Sequence, residues 1–210
     1  MGPGLIANIL SLSLFFEALF ISLRAFYVYF RSRSKRLFVL ALSMGVIALT
    51  AAAGFAGDNV TSISLNVDWF NYIGQTVSFL FILLSFFRTD EEYLSRLMRW
   101  HIISSLLLLV LLFLAPVLPP TFPAPAVTKT VLSGSRSVIC MFIFGYYYAA
   151  FTKKESRFSL LMTGAFLLLS WGYLIILPKY IFSGFDTVDQ MGDIFRIIGF
   201  VLLLVGVSLG

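Results

Sequence analysis

The sequence predicts an all-α polytopic membrane bundle of seven transmembrane helices, with the N-terminus outside and the C-terminus in the cytoplasm. Three observations predict it. The 210 residues are 60% hydrophobic and 17% aromatic but only 12% charged, far from the roughly 45–50% apolar, 25% charged balance of soluble domains. Apolar runs long enough to span a bilayer occupy 4–30, 37–57, 69–88, 101–118, 127–152, 158–182 and 190–210. The basic residues gather in alternate connections: Arg31, Arg33, Lys35 and Arg36, then Arg88, Arg96 and Arg99, then Lys153, Lys154 and Arg157, which together make ten of the 15 Lys and Arg. The intervening connections carry Asp58, Asp68, Asp186 and Asp189, with Lys129 and Lys179 at helix ends. The positive-inside rule then orients the chain. Residues 1–210 read as one membrane domain, with no room for a Rossmann, kinase or nucleic-acid module, so no nucleic-acid partner is expected.

The first run, 4–30, lacks a basic leader, is too long for a signal-peptide core and ends in a basic stop-transfer cluster, so it reads as a retained helix. The second pairs Ala48 with Ala52 and Ala53 with Gly57 at the small-xxx-small spacing of closely packed helices. Asn59-Val60-Thr61 after it matches a glycosylation acceptor on the outer side. The third places Asn71, Gln75, Ser78 and Ser85 on one face. Asp90, Glu91 and Glu92, set among Arg88, Arg96 and Arg99, read as a solvated amphipathic helix start with Glu92 and Arg96 at i,i+4. In the fourth run Leu106 to Leu114 is continuous rather than alternating, which argues against a β-barrel. His101 beside Trp100 reads as an interfacial residue. Pro116, Pro119, Pro120, Pro123 and Pro125 make a stiff connection.

The fifth run places Lys129, Ser133, Arg136 and Cys140 on one face, and Gly134 reads as a packing glycine. The seventh does the same with Asp189, Asp193 and Arg196, the first with Ser13, Glu17 and Arg24. The seventh ends at Gly210 without a basic anchor, which predicts that the natural chain continues there. Trp69, Trp100, Tyr27, Tyr29, Tyr146 to Tyr148 and Tyr180 lie near span ends, where interfacial aromatics belong.

Charged groups at membrane depth are costly and point to function or to pairing. Lipid cannot satisfy the polar stripes, so they are expected to meet inside the bundle around one cavity lined by Asn71, Gln75, Arg136, Asp193, Arg196 and Glu17. In a structural reading Glu17 pairs with Arg136 or Arg196, Asp193 pairs with the other arginine, and the amides fix packing. In a binding reading Arg136 and Arg196 hold a carboxylate, phosphate or other anionic group, Asp193 and Glu17 orient them, and Asn71 and Gln75 supply hydrogen bonds. Asp193 and Arg196 at i,i+3 also suit each other as partners.

One cysteine and one histidine exclude a disulfide framework, a multi-cysteine zinc site and bis-histidine haem ligation, so no metal site is predicted, and the residues leave any cofactor unknown. There is no HExxH, no P-loop and no outward Ser-His-Asp set, and no catalytic residue is assigned. The residues 190–210 contain no lysine where rhodopsins attach retinal, and Phe87-Arg88-Thr89 is a poor counterpart of the receptor Asp-Arg-Tyr.

In span count, outside N-terminus, short loops, the aromatic start Trp69-Phe70-Asn71-Tyr72-Ile73-Gly74 and the abrupt end at Gly210, the chain resembles the N-terminal seven-helix sensor regions of bacterial histidine kinases and related signalling proteins. The resemblance is architectural and implies ligand sensing coupled to an output domain. The expectation is therefore a multi-pass cell-membrane sensor in the lipid bilayer that binds a small or lipidic anion from outside and signals to a C-terminal output domain or partner membrane subunit. The alternatives are a small-solute transporter or channel, a lipid-modifying enzyme using Glu17 and Asp193, and a non-catalytic subunit of a membrane complex.

Overall fold

The computed structural model describes residues 3–59, 67–115, 117, 124–182 and 186–209. Among them there are helices and no strands: α1 (Pro3–Ser32), α2 (Lys35–Asn59), α3 (Asp68–Phe87), α4 (Glu91–Phe113), α5 (Pro125–Lys154), α6 (Arg157–Ile175), α7 (Leu177–Ile181) and α8 (Asp186–Leu209). Counting α6 with α7 as one, seven helical segments are long and apolar enough to cross a membrane. Val60 and Thr61 of the acceptor triplet, Pro116, Pro119, Pro120, Pro123 and Gly210 lie outside the described residues.

The helix ends follow from local chemistry. Asp68 stands in the first turn of α3, and Glu91 and Glu92 in that of α4, where the exposed amides and the helix dipole favour negative charge. Ser156 caps α6 by accepting from the Ser159 amide at 3.2 Å. Lys153 and Lys154 occupy the last turn of α5, which Glu155 ends in the left-handed region at φ 45°.

Two of the boundaries that differ from expectation shape the bundle. The helix expected over 101–118 starts at Glu91, because the charged turn is continuous with the apolar run: Glu92 and Arg96 pair at 3.0 Å, and Lys35 of α2 donates to Ser95 Oγ at 2.6 Å. The segment expected as one helix over 158–182 breaks at Ile176, since Pro178 offers no amide to the preceding turn. That break turns Ile176 and Tyr180 toward the bundle interior.

The helices form a closed ring. α1 packs on α2, α2 on α3, α3 on α5, α5 on α6, α6 on α8, and α8 returns to α1, while α4 lies outside the ring against α2 and α3. The core inside the ring is built from Ala18, Ile21, Met44, Phe79, Cys140, Ile143, Phe166, Leu169, Tyr173, Phe200 and Leu203. Large apolar side chains such as Phe16, Phe20, Leu107, Phe142 and Val201 face outward, the reverse of a soluble fold and what a lipid-facing surface requires.

The tightest seam runs between α6 and α8. Gly192, Gly199 and Gly206 recur every seven residues, keeping one side of α8 free of side chains. A methyl group on Gly172 of α6 would lie 2.7 Å from Arg196 Cγ and 2.9 Å from the Gly192 carbonyl oxygen, and one on Gly199 would lie 2.9 Å from Leu169 Cγ. The backbones touch where these glycines meet. Of the small residues singled out in the sequence, Ala48 is buried in the core, whereas a methyl on Gly134 would come no nearer than 3.9 Å to a Leu177 methyl. Gly134 is therefore not required for close packing.

His101 is not interfacial. It is 1% exposed, stacked on Phe81 with ring centres 4.2 Å apart and planes 10° apart, and its Nε2 lies 3.4 Å from Ser43 Oγ. Starting α4 a full ten residues before the expected span carries this side chain inside, between α2 and α3, while Trp100 faces outward. Tyr147 is likewise a core residue rather than an anchor, stacked on Phe166, whereas its neighbours Tyr146 and Tyr148 are exposed.

Candidate functional site

The ring encloses a cavity of about 350 Å³ at its acidic end, the end that carries Asp68, Lys129, Lys179 and Asp189. Its wall includes Asn71, Gln75, Arg136, Asp193 and Arg196, five of the six residues expected to converge. Three helices turn a polar stripe inward, with Asn71 and Gln75 from α3, Ser133 and Arg136 from α5, and Asp189, Asp193 and Arg196 from α8, while α2 contributes Ala51, Gly54 and Phe55. Glu17 is absent from the wall, and α1 contributes Ser11 and Leu14 instead.

Gln75 organises the floor. Its Oε1 accepts from the Arg136 guanidinium through Nη1 and from Tyr173 Oη at 3.3 Å, while its Nε2 donates to Asn71 Oδ1 at 3.0 Å and Thr50 Oγ1 at 3.3 Å. Both ends of the amide are thus committed, so its orientation is determined by its partners. Arg136 also donates from Nε to the Leu132 carbonyl at 3.2 Å. Its guanidinium carbon lies 5.1 Å from the Tyr72 ring centre and 4.7 Å from that of Tyr173, so two aromatic faces flank the cation. Tyr72 in turn donates to Tyr180 Oη at 2.9 Å, joining α3 to the short helix after the Pro178 break.

Among the described residues, the charges around the cavity sort into pairs with one left over. Asp68 pairs with Lys129 at 2.6 Å, Asp189 with Lys179, and Asp193 with Arg196. The i,i+3 alternative seen in the sequence is therefore the one adopted by Asp193 and Arg196. Arg136 has no carboxylate within ion-pair distance among the described residues, although it is only 4% exposed. Withdrawing such a charge from water costs several kcal/mol, which the neutral oxygens of Leu132 and Gln75 and two ring faces compensate only in part. Arg196 retains a buried Nε with no acceptor, and its guanidinium carbon lies 5.2 Å from the ring centre of the same Tyr173.

The cross-helix pairing expected for Glu17 does not form. Its Oε2 is buried without a hydrogen-bond partner, and neither arginine reaches it. Arg24, the other charge of that stripe, donates to the Ser208 carbonyl of α8 at 3.2 Å, far from the cavity. The sequence reading missed Tyr72, Tyr173 and Tyr180 as wall residues. Tyr180 was assigned to the membrane interface, and Tyr173 sits in an apolar run where an aromatic carries no directional signal. The donor-rich, cation-flanked wall can hold the oxygens of an anion, and nothing in it resembles a metal-ligating set among the described residues.

Comparison with protein-family models, with curated proteins and with solved structures finds no match to this chain.

Proposed function

We propose that the chain is a multi-pass membrane receptor domain whose acidic-end cavity binds a small anion, carboxylate or phosphate, from the outer side. The observation that carries this reading is Arg136: a buried guanidinium on a cavity wall, held by Gln75 and two tyrosine rings, with the wall aspartates Asp68, Asp189 and Asp193 each paired to another cation. Preorganised, incompletely neutralised cations of this kind suit bidentate recognition of anionic oxygens. The volume falls within the roughly 300–1,000 Å³ range of small-molecule sites. The basic connections at the other end favour that end as cytoplasmic.

Signal transfer would use α8. Arg196 sits where the α6 and α8 backbones touch, so a ligand that draws on Arg136, Tyr173 and Arg196 biases the sliding of α8 along its glycine seam toward the cytoplasmic end. An output domain or partner subunit would read that position.

A second reading, solute translocation, is favoured by another cavity of about 410 Å³ at the basic end, bounded by the same ring of helices. Its apolar lining is unsuited to a polar anion, which supports the receptor over the carrier.

The test is melting of the purified protein in neutral-lipid nanodiscs with inorganic phosphate or benzoate. Ligand linkage raises the melting temperature of the natural protein and not of Arg136→Met, which should still fold. Equal responses from both proteins would remove the site, and uptake of the labelled anion into proteoliposomes would favour the carrier.

A further inference from the structure

The basic-end cavity is the larger of the two and differs in chemistry from the first. Its wall comes from Leu37 and Leu40 of α2, Ile82 and Phe86 of α3, Tyr147 of α5 and Phe166 of α6, among other apolar groups. Phe79, Cys140, Ile143 and Leu169 fill the core between it and the acidic-end cavity, so the two are separate compartments. Among the described residues Arg36 is the single charged group in its wall.

Arg36 donates from Nε to the Ser85 carbonyl at 3.1 Å and from Nη2 to the Arg88 carbonyl at 3.5 Å. No carboxylate lies within ion-pair distance of it among the described residues. A guanidinium with five donors, anchored by two backbone carbonyls, keeps donors for a further acceptor. Around it the same end of the bundle carries nine other Lys and Arg against Asp90, Glu91, Glu92 and Glu155, with Lys35 paired to Glu91, so the end remains basic. An apolar chamber with one cation in its wall and a basic surface around it is complementary to one kind of molecule: an acyl chain with an acidic head.

We propose that this chamber is a second binding site, for an anionic amphiphile whose tail lies among Phe86, Tyr147, Phe158 and Phe166 and whose acidic head rests on Arg36. The site is independent of the anion site at the opposite end. Because a bilayer already solvates the tail, the aliphatic part contributes fit and the Arg36 contact contributes selection for charge. A free fatty acid and an acidic phospholipid share this chemistry.

The experiment uses the full chain in phosphatidylcholine nanodiscs with two photoreactive probes, palmitate and phosphatidylglycerol, each carrying a diazirine near the end of an acyl chain. Irradiation and peptide mass spectrometry should find adducts on the Phe86, Tyr147 and Phe158 peptides. Labelling should fall roughly fivefold to tenfold in Arg36→Gln, as expected for loss of a charge-assisted contact. It should also fall in Val28→Trp, which fills the chamber from α1. Excess unlabelled palmitate should compete and its methyl ester should not, a comparison made on the natural chain and so independent of how the variants fold. Whichever probe labels identifies the source of the head group. Labelling confined to lipid-facing residues such as Leu107, or equal competition by the ester, would overturn the proposal. Both variants should keep the melting response to phosphate or benzoate, which separates failure here from failure of the acidic-end site.

Discussion

Gln75 on α3 accepts the Arg136 guanidinium of α5 through its side-chain oxygen, at the level where Tyr173 of α6 donates to the same atom. Three helices thus share one acceptor, and that acceptor is neutral. A carboxylate at position 75 would have fitted the same space and cancelled the charge of Arg136. Gln75→Glu should therefore leave the fold intact, or raise its melting temperature, and abolish the anion response. Gln75→Leu should strip the acceptor from a buried cation and destabilise by about 2–3 kcal/mol. Melting with and without phosphate or benzoate reads both outcomes.

The glycine seam makes a prediction by contrast. Gly172→Ala would press a methyl against Arg196 Cγ and the Gly192 carbonyl, and overpacking of this kind costs about 1–3 kcal/mol. Gly145→Ala meets nothing within 4 Å, so it should be neutral or stabilising by up to about 1 kcal/mol through helix propensity. Paired unfolding measurements should show opposite signs, with the anion response weakened in the first variant alone because Arg196 must move.

His101 serves packing. Its stack on Phe81 is retained in His101→Phe, which also removes a buried Nδ1 that has no partner. That variant should melt at or above the natural temperature. His101→Ala should lose about 3 kcal/mol to the cavity left against Phe81. Destabilisation by Phe as severe as by Ala would show that the imidazole makes a polar contact the fold depends on.

Cys140 is fully buried in the core beneath Arg136. Its thiol should resist maleimide in the native protein and react only on unfolding, giving a direct readout for the preceding measurements. On a Cys140→Ala background, cysteines at exposed Lys154 and Ile181 should react from opposite faces of a sealed vesicle. Labelling at Ile181 from outside the cell and at Lys154 only after permeabilisation is the expected orientation, and the reverse would move the anion site to the cytoplasm.

Hydropathy made the helices readable because apolar length is a local property, and polar spacing made most of the cavity readable because each stripe fixes which face turns inward. Spacing does not fix how two helices rotate against each other, and Glu17 shows the limit: its stripe on α1 meets α8 through Arg24 and Ser208, while Ser11 and Leu14 reach the cavity. Local reading also placed His101 at an interface because its neighbour Trp100 belongs there, although residues adjacent in a helix point about 100° apart. The sevenfold glycine spacing of α8 was available as a signal for its contact with α6. The tyrosine walls were not, since an aromatic in an apolar run looks the same whether it meets lipid, core or a guanidinium.

The position of α4 has a consequence for how the protein can be assembled. With α4 outside the ring, α1 to α3 and α5 to α8 meet through the contacts of α3 with α5 and of α1 with α8. Arg136, at the centre of the proposed anion site, belongs to one set and Gln75 to the other. Two separately synthesised fragments, cut between α4 and α5, would each hold helices long and apolar enough to cross a membrane and part of the cavity wall. Their reunion in a bilayer would need no covalent link, and recovery of anion binding from the mixture would report on the ring itself.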